Sequence, residues 1–196
     1  MSSFLSFESQ APKVSDWIPY LDACKRTRLV NPNSGEVITT GVEVDAPDVN
    51  LSRTDFSVVF ADDEEPCAHG GQVRFGMRAI KGAGTKAIEA IVKERDFGGD
   101  PENPERKPFV SVFDFCERVP SGSVNKATIE ALIRAGAFDA IHSREERASM
   151  IASIEAAVSA GQSIAADKAA GQGALFGFGG GEEVAETETL PETPLI

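Results

Sequence analysis

Much is scarce in this 196-residue chain, and each scarcity removes a class of protein. No run approaches the roughly 18 consecutive apolar residues of a membrane-spanning helix, so no membrane partner is expected. The opening MSSFLSFESQAPK has no basic patch ahead of an apolar run, which gives no support to a secretory leader. Three cysteines, Cys24, Cys67 and Cys116, are odd in number and far apart, as suits reduced thiols in a cytoplasm. Two histidines leave no Ser/His/Asp set to argue, and His142 reads as the end of a helix. Cys67-Ala68-His69 offers two zinc ligands without a second pair, which is a poor metal site. Basic residues are outnumbered 19 to 31, a formal net charge of −12, which speaks against a general polyanion binder.

What is present is unevenly spread. Residues 1–70 carry a net −7, residues 71–150 a net +1, and residues 151–196 a net −6, so only the middle could face nucleic acid. The 41% hydrophobic content is enough to bury a core. Val14, Trp17, Ile18, Leu21 and Cys24 recur three and four apart and predict a helix over 14–28, with Pro19 either in its first turn or breaking it. NPNSGE at 31–36 is a turn cluster, and VEV (42–44), FSVVF (56–60) and QVRFG (72–76) predict brief strands. The acidic run Asp62-Asp63-Glu64-Glu65 falls in a Pro/Gly loop and reads as solvated. Helices are then predicted over 77–81, 85–96, 110–119, 125–137 and 143–168. The Gly-rich and then acidic segment 169–196 reads as a disordered tail. The expected fold is mainly α with a small β element. A short mixed α/β segment, residues 1–70, precedes a helical unit over 71–168.

An internal repeat lies in that unit. IEAIVK at 88–93 returns as IEALIR at 129–134, 41 residues later, and each copy follows a short helix and a tight turn. The natural reading is two helix-hairpin-helix units in tandem. In the first, Lys81-Gly82-Ala83-Gly84-Thr85-Lys86 places a Gly-x-Gly turn at the start of a helix. Free backbone N–H groups and the positive end of the helix dipole attract phosphate there, and the two lysines add charge. Such contacts hold a duplex by its backbone without reading bases. In the second, the 41-residue shift puts Ser123-Val124-Asn125 where the glycines were. Asn125 reads as an N-cap with Lys126 beside it, a weaker phosphate contact with a mainly structural role.

RFGMRAIKGAGTKAIEAIVKER, SVFDFCERV, VNKATIEALIRAGAFDAI and QGALFG, in this order, resemble the bacterial C-family replicase, the DNA polymerase III alpha subunit. KVSDWIPYLDACKR and VEVDAPDVNLSRTDFSV resemble the end of that family's fingers region. The resemblance covers roughly residues 13–177. It implies a tandem helix-hairpin-helix domain that grips duplex DNA, and the hairpin chemistry makes Lys81, Gly82, Ala83, Gly84, Thr85, Lys86, Asn125 and Lys126 its expected contacts. It also implies a sliding-clamp-binding peptide at Gln172, Leu175 and Phe176, in a Gln-x-x-Leu-Phe arrangement.

The family's palm carboxylates have no counterpart here, so no catalytic residue, cofactor or metal is assigned, and Mg²⁺ is expected only with a palm. The expected role is the DNA-binding and clamp-binding portion of a DNA-directed DNA polymerase. That portion would be non-catalytic alone, cytoplasmic and nucleoid-associated, and would be either a split-gene portion working beside a separately encoded polymerase portion or a truncated paralogue. Two other classes stay open. One is a protein-interaction scaffold whose hairpins are only structural, favoured by the acidic ends. The other is a repair accessory that uses the hairpins on DNA.

Overall fold

The computed structural model describes residues 1–11, 13–60, 71–98 and 105–169. The fold is mainly α with a small β element, as the periodicity requires. Two N-terminal helices, α1 (Ser2–Glu8) and α2 (Val14–Arg26), lead into a hairpin of β1 (Arg28–Val30) and β2 (Val37–Thr40). The strands β3 (Val44–Asp45), β4 (Ser57–Val59) and β5 (Gln72–Arg74) form a second sheet in the order β3-β5-β4, parallel between β3 and β5 and antiparallel between β4 and β5. That sheet joins strands from both sides of residue 71.

A single 3₁₀ turn, Met77–Ala79, precedes α3 (Thr85–Phe97). Then come α4 (Val112–Arg118), α5 (Lys126–Ala135), a 3₁₀ turn over Arg144–Glu146, and α6 (Arg147–Ala169).

Several sequence expectations are corrected. Pro19 neither opens nor breaks its helix; it sits in the second turn of α2, which runs on because Trp17 and Cys24 on either side are buried. Neither α1 nor the β1–β2 hairpin was expected. The hairpin's turn is the expected cluster, closed by Asn31 N–H donating to Glu36 O (2.8 Å) while Asn31 Oδ1 accepts from Asn33 N–H (2.9 Å). His142 does not end a helix: α5 stops at Ala135, and the His142 Nε2 accepts a hydrogen bond from Val112 N–H at 3.3 Å. The tail, with Gln172, Leu175 and Phe176, lies outside the described residues, as do Asp62–Glu65, Cys67 and His69.

Two cores result. The smaller packs Leu5, Trp17, Cys24, Phe56 and Val73, with ring centroids 6.2 Å apart for Trp17–Phe56 and 4.8 Å for Phe56–Phe75. The larger belongs to the helical unit and is organised by Phe109, Phe115 and Phe138, stacked edge to face at 5.1 and 5.2 Å. Phe75 packs against both. Within the larger core α4 and α6 meet backbone to backbone, since a Cβ on Gly161 would stand 2.3 Å from the Cys116 carbonyl oxygen.

Candidate nucleic-acid interface

The 41-residue repeat is a repeat of burial. Ala83 and Val124, Ala87 and Thr128, Ile88 and Ile129, and Ile91 and Leu132 are all buried, each pair at matching positions of the two units. The units also touch at their turns. The Thr128 hydroxyl donates to the Gly82 carbonyl (3.4 Å), and a Cβ on Gly82 would lie 3.2 Å from that of Ala131.

The two glycines of the first turn have different jobs. Gly82 has φ +92°, in the left-handed region that side chains disfavour, so it makes the turn. Gly84 has φ −69°, and a Cβ there would meet nothing within 4 Å. It is the N-cap of α3 and carries no side chain to occupy the helix end. The first intrahelical bond is Ile88 N–H to Gly84 O (3.1 Å), which leaves the amides of Thr85, Lys86 and Ala87 without a partner among the described residues. In the second unit Asn125 caps its own helix, its Oδ1 accepting from Thr128 N–H at 2.9 Å. The end of α3 has no side-chain cap, and the end of α5 has one of its amides taken by Asn125.

The lysines divide as well. Lys81 turns away from the hairpin and donates to the carbonyls of Ala11 (2.7 Å) and Ser9 (3.5 Å), where a cation suits the C-terminal end of α1. Lys126 pairs with Glu155 Oε1 on α6 at 2.7 Å, and this contact holds the Glu155 carboxyl below its ordinary range. Lys86 is exposed and has no partner among the described residues. So has Lys93, which the sequence reading passed over although its seven-residue spacing from Lys86 places it on the same side of α3, two turns on. Thr85 is exposed beside the open amides, and Ala83 is buried beneath the turn.

Reactive chemistry is weakly provided for. Burial pushes the Cys116 thiol up to about 11 and raises Cys24, so neither is an activated nucleophile. Among the described residues no three His, Cys, Asp or Glu side chains converge where a metal ion would sit. None of the described helices is long and apolar enough to cross a membrane.

Paired helices, two stacked turns and one open helix end define a tandem helix-hairpin-helix protein, and the helix-hairpin-helix motif family matches residues 41–149. The chain is 34% identical to the DNA polymerase III subunit alpha of Caulobacter vibrioides over 99% of its own length and 16% of that protein's. It is 37% identical to that of Bacillus subtilis over 80% of this chain and 12% of the relative, and 40% identical to that of Thermus aquaticus over 59% and 8%. The chain belongs to the DNA polymerase III alpha subunit family, and it spans about one sixth or less of the length of these relatives.

Proposed function

We propose that this chain is the duplex-DNA-holding portion of a replicative polymerase, acting through the open N-terminus of α3. The observation that supports this best is the contrast between the two hairpins. Gly84 leaves the amides of Thr85, Lys86 and Ala87 open beside an unpaired Lys86, whereas in the second hairpin Asn125 takes the Thr128 amide and the Lys126 ammonium pairs with Glu155. An oxyanion of the DNA backbone satisfies such donors without any base contact. The polymerase chemistry belongs to a palm on another segment or chain, and the bound Mg²⁺ would lie there. In the tail, Gln172, Leu175 and Phe176 form a peptide for a sliding clamp: two apolar anchors and one amide, micromolar by itself because ordering it costs entropy.

The test is fluorescence anisotropy of labelled 20-base-pair duplexes of two unrelated sequences between 50 and 200 mM salt. Equal affinities in the range of about 10⁻⁴ to 10⁻⁶ M, with a salt slope of about two to four ions, are expected. Lys86→Glu should weaken binding to both. A peptide spanning 170–180 should bind a clamp from the same organism, and Leu175→Ala with Phe176→Ala should remove the signal. The net charge of −12 and the two internally paired lysines favour a second reading, a scaffold held by protein contacts alone. Clamp binding without any duplex binding would establish it.

A further inference from the structure

Most cations on the described surface stand against a carboxylate, as Arg74 does with Asp45, Arg134 with Glu130 and Arg147 with Asp139. Arg53 does not. Its side chain is exposed, and its guanidinium has no hydrogen bond or ion pair among the described residues. With Thr54, Asp55, Val92 and Asp96 it lines an open cleft of about 470 Å³ at the C-terminal end of α3.

The charge in and around this cleft runs against that of the chain. Asp96 is held in a two-point grip by Arg95 (2.7 and 3.0 Å) and has Arg106 at 3.9 Å. Those guanidinium groups, the Arg95 hydrogen bonds first, hold its carboxyl below the usual range, and Arg53 adds to the same field. Asp55 is answered by Arg78 at 3.3 Å. Four guanidinium groups thus meet two carboxylates, an excess of positive charge in a chain whose formal net charge is −12.

Arg53 also stands on a fixed base. The turn before it, Asp48–Ser52, is closed by Asp48 Oδ1 accepting from Asn50 N–H (2.7 Å) and by Ser52 Oγ accepting from Asp48 N–H (2.9 Å). Asn50 is tied in turn to both backbone groups of Phe109 (2.7 and 2.8 Å), and the Arg53 carbonyl accepts from Met77 N–H at 3.0 Å. A cation on such a base has no backbone freedom left to lose when it meets a ligand, only that of its side chain.

Its position relative to the hairpin is set by α3. Asp96 lies ten residues beyond Lys86, about 15 Å along the helix axis, with Lys93 at about 10 Å. A B-form duplex carries a backbone charge every ~1.7 Å of its axis and has a major groove about 12 Å wide. A duplex is long enough to reach both ends of α3.

We propose that the Arg53 cleft is a second phosphate-binding site, taking a backbone oxyanion of the same duplex that hairpin 1 holds, with Lys93 between them. This rests on the reading of the chain as a DNA-binding protein, and the experiment separates the two claims. Affinity and salt slope are measured by anisotropy on a 20-base-pair duplex for the full chain, Arg53→Gln, Arg53→Glu and Lys86→Glu, with circular dichroism as the folding control. Pyrophosphate is titrated in parallel against the Arg53 Nε–H resonance. Arg53→Gln should weaken duplex binding about three- to tenfold and lower the salt slope by about one ion; Arg53→Glu should do more. Pyrophosphate should move the resonance only at millimolar levels and should compete with duplex. Unchanged affinity and slope in both Arg53 variants, with Lys86→Glu still damaging, overturn the cleft proposal and leave the hairpin reading standing. No duplex binding by the unmodified chain overturns both. Saturation by pyrophosphate at micromolar levels without competition from duplex makes the cleft a free-phosphate site and refutes the backbone assignment.

Discussion

Replacing Gly84 by Asp separates folding from phosphate contact, because the structure assigns the two consequences opposite signs. The position has φ −69° and no atom within 4 Å of a built Cβ, so an L side chain enters without strain. Asp is a better N-cap than Gly by a few tenths of a kcal/mol, and its charge suits the helix dipole, so stability should hold or rise slightly. The same carboxylate takes the open amides of α3 and meets any backbone phosphate there as a like charge. At ~5 Å that repulsion is about 1 kcal/mol at the dielectric of water and about 3 kcal/mol at an effective value of 20. Affinity should therefore drop about 5- to 150-fold, at 1.4 kcal/mol per factor of ten. Thermal melting by circular dichroism and duplex anisotropy on the same samples decide it. A melting temperature within about 2 °C together with a fivefold or greater loss of affinity is expected. Unchanged affinity with intact folding would refute the assignment of the phosphate to this helix end. Gly82→Ala is the counter-variant: at φ +92° and 3.2 Å from Ala131 it should destabilise the turn, by about 1 kcal/mol or more.

Three further outcomes follow from the packing. Arg95, 3% exposed, donates to the carbonyls of Val49 (3.1 Å) and Ser52 (2.7 Å) as well as to Asp96, so Arg95→Met strands two buried acceptors and should cost about 3 kcal/mol. For a chain of this size that is a fall of about 6–12 °C in melting temperature, and a change below 2 °C would contradict the role. Gly161→Ala forces α4 and α6 apart and should cost about 1–3 kcal/mol in urea unfolding, with Gly122→Ala, at an open site, as the neutral control. Burial lowers the His142 pKa against a smaller opposing pull from Glu146, so the folded state favours the neutral ring whose Nε2 accepts from Val112. The unfolded chain then binds more protons below its ordinary value near 6.5, and stability falls as the pH drops below about 6.5. His142→Gln should flatten that dependence while leaving the carboxylate-dependent loss at lower pH, to which Asp96 and Glu146, both held below their ordinary range, contribute.

The helical unit was legible because its signal is local. Ile88 and Ile91, and Ile129 and Leu132, announce their buried stripes by spacing alone, and Asn125 announced its cap. The β1–β2 hairpin was not, since its strands are three and four residues long and leave Val30, Val37 and Ile38 exposed, which erases the alternation that marks a half-buried strand. Lys81 misled for a different reason. Its partners are backbone carbonyls 70 and 72 residues away, which carry no side-chain signature. Gly82 and Gly84 looked interchangeable in the sequence; only their backbone angles assign one to the turn and the other to the helix end.

That asymmetry bears on how an acidic chain presents a phosphate site. The two units share a burial pattern but not the chemistry at their tips. In the second, two of the groups that would meet an anion already have partners within the chain, the Thr128 amide on Asn125 and the Lys126 ammonium on Glu155 at the surface. In the first, Lys81 is diverted to α1, and what remains outward is Lys86 and a set of amides, whose donor capacity adds nothing to net charge. Donors of this kind are blind to the formal −12 of the chain at the distances where salt screens its distant carboxylates, about 10 Å at 0.1 M. On the proposed reading the duplex approaches from the α3 side, and hairpin 2 serves as the platform, through the Thr128 hydroxyl on Gly82, that holds the open turn in place.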